Sequence, residues 1–227
     1  MKILGVDTAT WAGSVAIAEN GHVRGLVGID AAAAHAERLM GAIDFVLMNL
    51  DMRADELDGL AVSAGPGSFT GLRIGMGAVK GLSFALGKPA VGISTLRAMA
   101  RSVSGGTYIC PLIDAGRGEV YGCCYRREKG DLIESCRETV EEPVEFLKRI
   151  EAGEILVFGS GAERYSDEIE REFRGRVTII RFDRFVAPSV AVLGSERIEA
   201  GDIGALKPNY IRRTDAELQT DGRGREA

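Results

Sequence analysis

At 227 residues, 45% hydrophobic but only 6% aromatic, the chain has room for one or two modest domains with aliphatic, alanine-rich cores. A formal net charge of −5 and a pI of about 5.3 exclude a broad basic face for nucleic acid, so a role on RNA requires a partner with positive surface. No run reaches the ~18 apolar residues of a membrane span, and the opening MKILGVDTATWAGSVAIAENG lacks the apolar core and cleavage site of a secretory leader, so the expected compartment is the cytoplasm.

In chain order, Ile3–Asp7, Ser14–Glu19 and Val23–Ile29 read as strands, with Asn20-Gly21 as a hairpin signal between the last two. A helix is expected over 35–50, a strand over Gly59–Ala64, a glycine loop, and a helix over 71–86. A short strand at 90–93 and a helix at 95–102 complete this half, and Ser104-Gly105-Gly106 marks a boundary. The plan then recurs. Tyr108–Asp114 is a strand ending in Asp, followed by strands at Glu119–Tyr125 and 132–138, a helix at 142–151 and the strand Ile155–Phe158. A helix–strand–helix series fills 162–201, and the segment from Ala216 is polar. The cysteines Cys110, Cys123, Cys124 and Cys136 have no C-x-x-C spacing and read as reduced core thiols; the adjacent pair should point to opposite sides of a strand. Three antiparallel strands followed by alternating helices and strands, twice over, fit the duplicated α/β lobe of the actin, Hsp70 and sugar-kinase group. Other two-domain α/β folds share the element count. The division expected is 1–104, 105–215 and a tail at 216–227.

The loop Gly65-Pro66-Gly67-Ser68 sits where a phosphate loop would, between a strand and a helix N-terminus. It has neither the G-x-x-x-x-G-K-[ST] nor the G-x-G-x-x-G spacing. In the helix that follows, only Arg73 and Lys80 are charged, and Gly71, Gly75, Gly77 and Gly81 each cost about 0.5–1 kcal/mol relative to alanine. Such a helix is either buried against its own sheet or covered on its outer side by something else. The preceding helix also carries surplus apolar residues, Phe45, Met48 and Met52, opposite its core stripe. Together these faces suggest a helix–helix docking surface. On that reading, Gly75→Leu breaks association and leaves the monomer folded.

The chain has little catalytic equipment. Its two histidines, His22 and His35, have no H-x-x-x-H spacing and no adjoining nucleophile elbow. Asp7 and Asp114 each end the first strand of a half, where actin-like ATPases carry carboxylates facing metal and phosphate. Ala9 occupies the position two after Asp7 where those ATPases prefer glycine, whereas Gly116 keeps it after Asp114. The two aspartates either cap their own turns or contact a nucleotide.

VDTAT (6–10), HAERL (35–39), SAGPGSFTGLRIG (63–75), ISTLRAMA (93–100), LIDAGRGEVY (112–121) and PNYIRR (208–213) resemble, in order along nearly the whole chain, the TsaB (YeaZ) family. The resemblance implies duplicated actin/Hsp70-like (ASKHA) lobes, each with a mixed five-stranded sheet and flanking helices. It implies a part in forming threonylcarbamoyladenosine at adenosine 37 of tRNA, as an inactive homologue of the metal-bearing TsaD subunit, whose metal-binding histidines the family has lost. It further implies docking on TsaD through the first two helices, an associated ATPase, TsaE, a homodimer through the same surface, and contact with tRNA only through the complex. No catalytic residue, metal or cofactor is then expected on this chain, ATP and Mg²⁺ belonging to the complex. The interface residues expected are Leu39, Phe45, Met48, Gly71, Leu72, Gly75, Met76 and Val79, and Asp7 with Asp114 would line a vestigial cleft. The alternative is an ATP-dependent phosphotransferase or ATPase using those two aspartates.

Overall fold

The computed structural model describes residues 1–29, 35–151, 153–182 and 185–212; the expected tail at 216–227 and the last residue of PNYIRR lie outside them. Strands β1 (Lys2–Asp7), β2 (Gly13–Glu19) and β3 (His22–Ile29) form an antiparallel meander. Asn20 and Gly21 both adopt positive φ, as a two-residue hairpin between right-twisted strands requires. Helix α1 (His35–Asn49) leads to β4 (Gly59–Gly65), which pairs parallel with β1. Helix α2 (Phe69–Leu86) then returns the chain to β5 (Ala90–Ser94), parallel to β4. The strand order is β3-β2-β1-β4-β5.

A short helix, α3 (Thr95–Arg101), bridges to the second half. There β6 (Tyr108–Gly116), β7 (Glu119–Glu128) and β8 (Asp131–Glu141) form the second meander. Helix α4 (Pro143–Lys148), β9 (Ile155–Phe158), helices α5 (Ser160–Arg164) and α6 (Ser166–Glu172), and β10 (Val177–Ile179) follow. The second sheet reads β8-β7-β6-β9-β10, position for position the order of the first. This is the duplicated actin/Hsp70-like architecture, with a mixed five-stranded sheet in each lobe.

Alternation along the strands divides the core into three. Leu4, Val6, Leu60 and Val62 face α1 and α2 on one side of the first sheet. Leu112, Val120, Ile155 and Val157 pack with Phe146, Leu147 and Ile169 of α4 and α6 on the far side of the second. Between the sheets lies a shared core in which Ile3, Ala61 and Val91 meet Leu96 and Met99 of α3 and Ile109 and Tyr125 of the second sheet. The adjacent cysteines divide as β alternation requires, Cys123 into the shared core and Cys124 into the outer one. All four cysteines are free, and burial pushes the Cys110 and Cys123 thiols up.

A division at 104/105 falls between the two sheets, but the last helix, α7 (Ala187–Glu199), packs across β1, β2, β4 and β5 of the first. Val190, Ala191 and Leu193 of this helix cover the sheet face that α1 and α2 leave open. A boundary drawn along the sequence assigns α7 to the second lobe because it follows β10. The exposed apolar face of β1 and β4 determines where it lies.

Candidate functional site

The turn after β1 is closed by its own aspartate. Asp7 is fully buried; Oδ1 accepts from the Ala9 N–H at 3.1 Å and Oδ2 from the Thr10 hydroxyl at 2.8 Å. The N-terminus of α2 lies directly against this turn. Ser68 N–H donates to the Ala9 carbonyl at 2.7 Å, and Thr8 Oγ1 donates to the Gly71 carbonyl at 2.7 Å. Ser68 Oγ caps the helix by accepting from Gly71 N–H at 3.2 Å. A methyl built on Gly71 would overlap the Thr8 carbonyl oxygen, and one on Gly75 the Thr8 hydroxyl. The glycines at these two positions therefore permit close approach between α2 and the turn of the same lobe.

The equivalent turn at the end of β6 repeats the backbone contact with different side-chain partners. Gly116 N–H donates to Asp114 Oδ1 at 3.0 Å, as Ala9 does to Asp7. Asp114 also receives a guanidinium: Arg164 Nη1 lies 2.8 Å from Oδ2, and the Tyr165 hydroxyl lies 3.4 Å from Oδ1. Burial and the neighbouring Asp114 carboxylate push the Tyr165 hydroxyl up from its ordinary range.

Between the two turns lies a cleft of about 740 Å³, with Trp11, Ser68 and Thr70 on one wall and Asp114, Tyr121 and Ser160 on the other. Its charged lining among the described residues is Asp114 and Glu163, both acidic. The Mg²⁺-nucleotide that this fold implies fits the residues poorly. Asp7 turns its oxygens inward, the Ser68 and Gly71 N–H groups are spent within the lobe, Asp114 is already paired with Arg164, and no Lys or Arg is among the described residues that line the cleft. Among the described residues no group of three His, Cys, Asp or Glu side chains is placed to hold a metal ion.

The other notable surface is on the outside of the first lobe. Of the residues expected at the docking face, Phe45 and Met48 are exposed, at 53% and 67%. The other six are not available: Leu39, Met76 and Val79 are buried in the lobe's own core, Leu72 is buried beside Gly65, and Gly71 and Gly75 are buried on the inner face of α2, against Thr8. The real outer stripe is Gly41, Phe45 and Met48 on α1, with Gly77, Gly81 and Phe84 on α2, each set spaced i, i+4, i+7. Phe84 is 92% exposed, and open space surrounds Gly41, Gly77 and Gly81. That spacing was available in the sequence. The competing i, i+4 pair Gly71/Gly75 resembled it, and only the packing of α2 on Thr8 separates inner from outer glycines.

Among the described residues no helix is long and apolar enough to cross a membrane. The family model for TsaD, tRNA N6-adenosine threonylcarbamoyltransferase, matches residues 14–164. The tRNA threonylcarbamoyladenosine biosynthesis protein TsaB of Escherichia coli is 34% identical over 173 residues, 74% of this chain and 74% of its own length. A Pseudomonas aeruginosa structure, described as an uncharacterized protein with similarity to peptidase YEAZ, superposes with a TM-score of 0.80 at 27% identity, covering 93% of this chain and 99% of its own. Component A of the Acidaminococcus fermentans (R)-2-hydroxyglutaryl-CoA dehydratase, 11% identical with a TM-score of 0.57 over 88% of this chain and 99% of its own, shares the fold alone. In sequence and in structure, then, this chain belongs to the TsaB (YeaZ) family of tRNA threonylcarbamoyladenosine biosynthesis proteins, within the wider group that the TsaD model describes.

Proposed function

We propose that this chain is a non-catalytic, activating subunit for threonylcarbamoyl transfer to tRNA, docking on a metal-bearing TsaD-like subunit through the outer stripe of α1 and α2. The observation that carries the reading is that stripe: Phe45, Met48 and Phe84 stand exposed beside Gly41, Gly77 and Gly81, whose missing side chains allow another backbone close. A TsaE-like ATPase joins the assembly, tRNA is reached through the complex, and the free chain pairs with a second copy through the same face. ATP and Mg²⁺ act elsewhere in the complex; a cleft with no Lys or Arg among its described lining residues and the inward-turned Asp7 support this assignment. The chain works in the cytoplasm, where its tRNA substrate is.

The test is reconstitution of transfer with the cognate TsaD-like and TsaE-like proteins. Omitting the chain should stop modification, Asp114→Ala should restore it, and Phe84→Glu should not, because association weakens by about 30-fold or more when a central aromatic anchor is lost. Failure of Asp114→Ala despite normal complex formation would show that the cleft takes part in the chemistry. It would return the phosphotransferase reading to contention.

A further inference from the structure

The segment 206–212 crosses from the first lobe to the second and is bonded to both. Leu206 packs against the core beneath α2, and Asn209 N–H donates to the carbonyl of Ala64, at the end of β4, at 2.6 Å. The Asn209 side chain reaches the other way, with Nδ2 2.7 Å from Glu138 Oε2 on β8. The other oxygen of Glu138 accepts from the Ser94 hydroxyl at the end of β5. Tyr210 then stacks on Phe69, the first residue of α2, with centroids 5.0 Å apart, and its hydroxyl lies 3.4 Å from Arg73 Nε. Arg212 donates to the carbonyl of Ala115 at 2.7 Å and pairs with Glu119. The segment thus joins the start of α2 to the turn that carries Asp114, the two edges of the interlobe cleft. It also walls a second cavity, of about 430 Å³, between Phe69 and Tyr121.

We propose that residues 206–212 are a clasp that holds the two lobes at one angle across the cleft, and that its release lets the 65–69 and 114–119 turns separate. The shared core fastens the lobes by apolar packing, which is non-directional and tolerates small rotations. The clasp adds directional bonds at defined atoms on both sides, and those bonds fix the angle. The inference stands independently of what docks on α1 and α2.

Hydrogen exchange on the full chain, read by mass spectrometry, tests it. Asn209→Ala combined with Arg212→Ala should speed exchange about tenfold in segments 64–70 and 112–119, the change expected from losing one or two net hydrogen bonds. Amides in the middle of β1 and β9 should keep their wild-type rates. Arg24→Ala, which removes a surface ion pair with Glu19 inside the β2–β3 hairpin, serves as the control and should change neither segment. Unchanged exchange at both cleft edges overturns the proposal. So does an equal acceleration everywhere, which would make the segment a general stabiliser. Should the double variant fail to fold, Arg212→Lys and Asn209→Ser applied singly put the same question. A smaller acceleration confined to the cleft edges supports the clasp, and a flat profile overturns it.

Discussion

The two lobes share a strand order and an aspartate-closed turn, but their outer helices differ. In the first lobe α1 and α2 run for 15 and 18 residues and leave Phe45, Met48 and Phe84 exposed outside. In the second, α4, α5 and α6 have only 6, 5 and 7 residues, and α6 reads SDEIERE. The aspartates differ in the same direction. Asp7 is sealed beneath α2, whereas Asp114 is partly open and paired with the exposed Arg164. Duplication fixes the sheets and the places where turns emerge. What is laid over those turns is free to diverge, and in this chain the outer helices of the first lobe keep exposed Phe45, Met48 and Phe84.

The largest expected difference between the lobes is at the glycines that begin α2 and α5. Gly71→Ala drives a methyl into backbone, the Thr8 carbonyl, and should cost about 3 kcal/mol in denaturant unfolding. Gly161→Ala meets chiefly the side chains of Val120 and Leu112, which can shift, and should cost about 1 kcal/mol. Gly75→Leu should likewise destabilise the monomer, contrary to the sequence-based expectation of a folded chain that no longer associates, because its side chain would occupy the space of Thr8.

On the outer surfaces the contrast should invert. Phe84→Glu is expected to weaken association by about 2 kcal/mol or more in sedimentation or calorimetry, with monomer stability changed by no more than about 0.5 kcal/mol. Arg171→Glu on α6 should leave association unaltered. Equal losses from both would mean that the second lobe also docks.

The aspartates give a smaller difference. Asp7→Ala leaves the buried Ala9 N–H without its acceptor, while the Thr10 hydroxyl can turn to the Ala12 carbonyl, and should cost about 2 kcal/mol. Asp114→Ala removes a pair whose arginine is largely solvated and leaves the part-buried Gly116 N–H without its acceptor, where water can reach it, and should cost about 1 kcal/mol. Similar values for the two would mean that the partly open Asp114 turn depends on its carboxylate as strongly as the sealed one does, and Arg164→Ala alone would then show how much of that is the ion pair.

The smallest effect expected is a pH dependence at the clasp. Burial first, and then the neighbouring Glu134, push the Glu138 carboxyl up, against the hydrogen bonds from Ser94 and Asn209 that lower it. A carboxyl held above its unfolded value stabilises the fold below the ordinary carboxylate range, and that contribution is lost as pH rises through the raised value. Glu138→Gln should therefore gain stability relative to wild type as pH rises from about 4 towards neutrality. A difference that stays constant across that range would show that Glu138 titrates alike in both states.

Much of the fold was legible because its signals are local. Short apolar runs between turn residues mark the strands, Asn20-Gly21 the hairpin, and an Asp at the end of β1 and near the end of β6 announces the repeat. Boundaries shift where hydrogen bonding continues past the apolar pattern. Strand β7 extends to Glu128 and β8 spans Asp131–Glu141 because the hairpin ladder persists through polar residues. The exposed apolar surface of the first lobe was legible only in part. Phe45 and Met48 are where the excess apolar residues of α1 pointed, but Leu39, Leu72, Met76 and Val79 have the same chemistry and face inward. Arg164, held against Asp114 across 50 residues of chain, and Asn209, bonded to Glu138 across 71, had no local signal.

By itself, the sequence determined the elements, their duplication and the family, because periodicity, turn chemistry and motif order are properties of neighbouring residues. Tertiary structure alone decided which glycines of α2 meet their own lobe and which stand open, and why α7 covers the first sheet rather than the second. It alone decided that Asn209, Tyr210 and Arg212 join the two edges of the cleft. Each of those outcomes depends on the distance between residues far apart in the chain, which packing of apolar faces sets and no local pattern encodes.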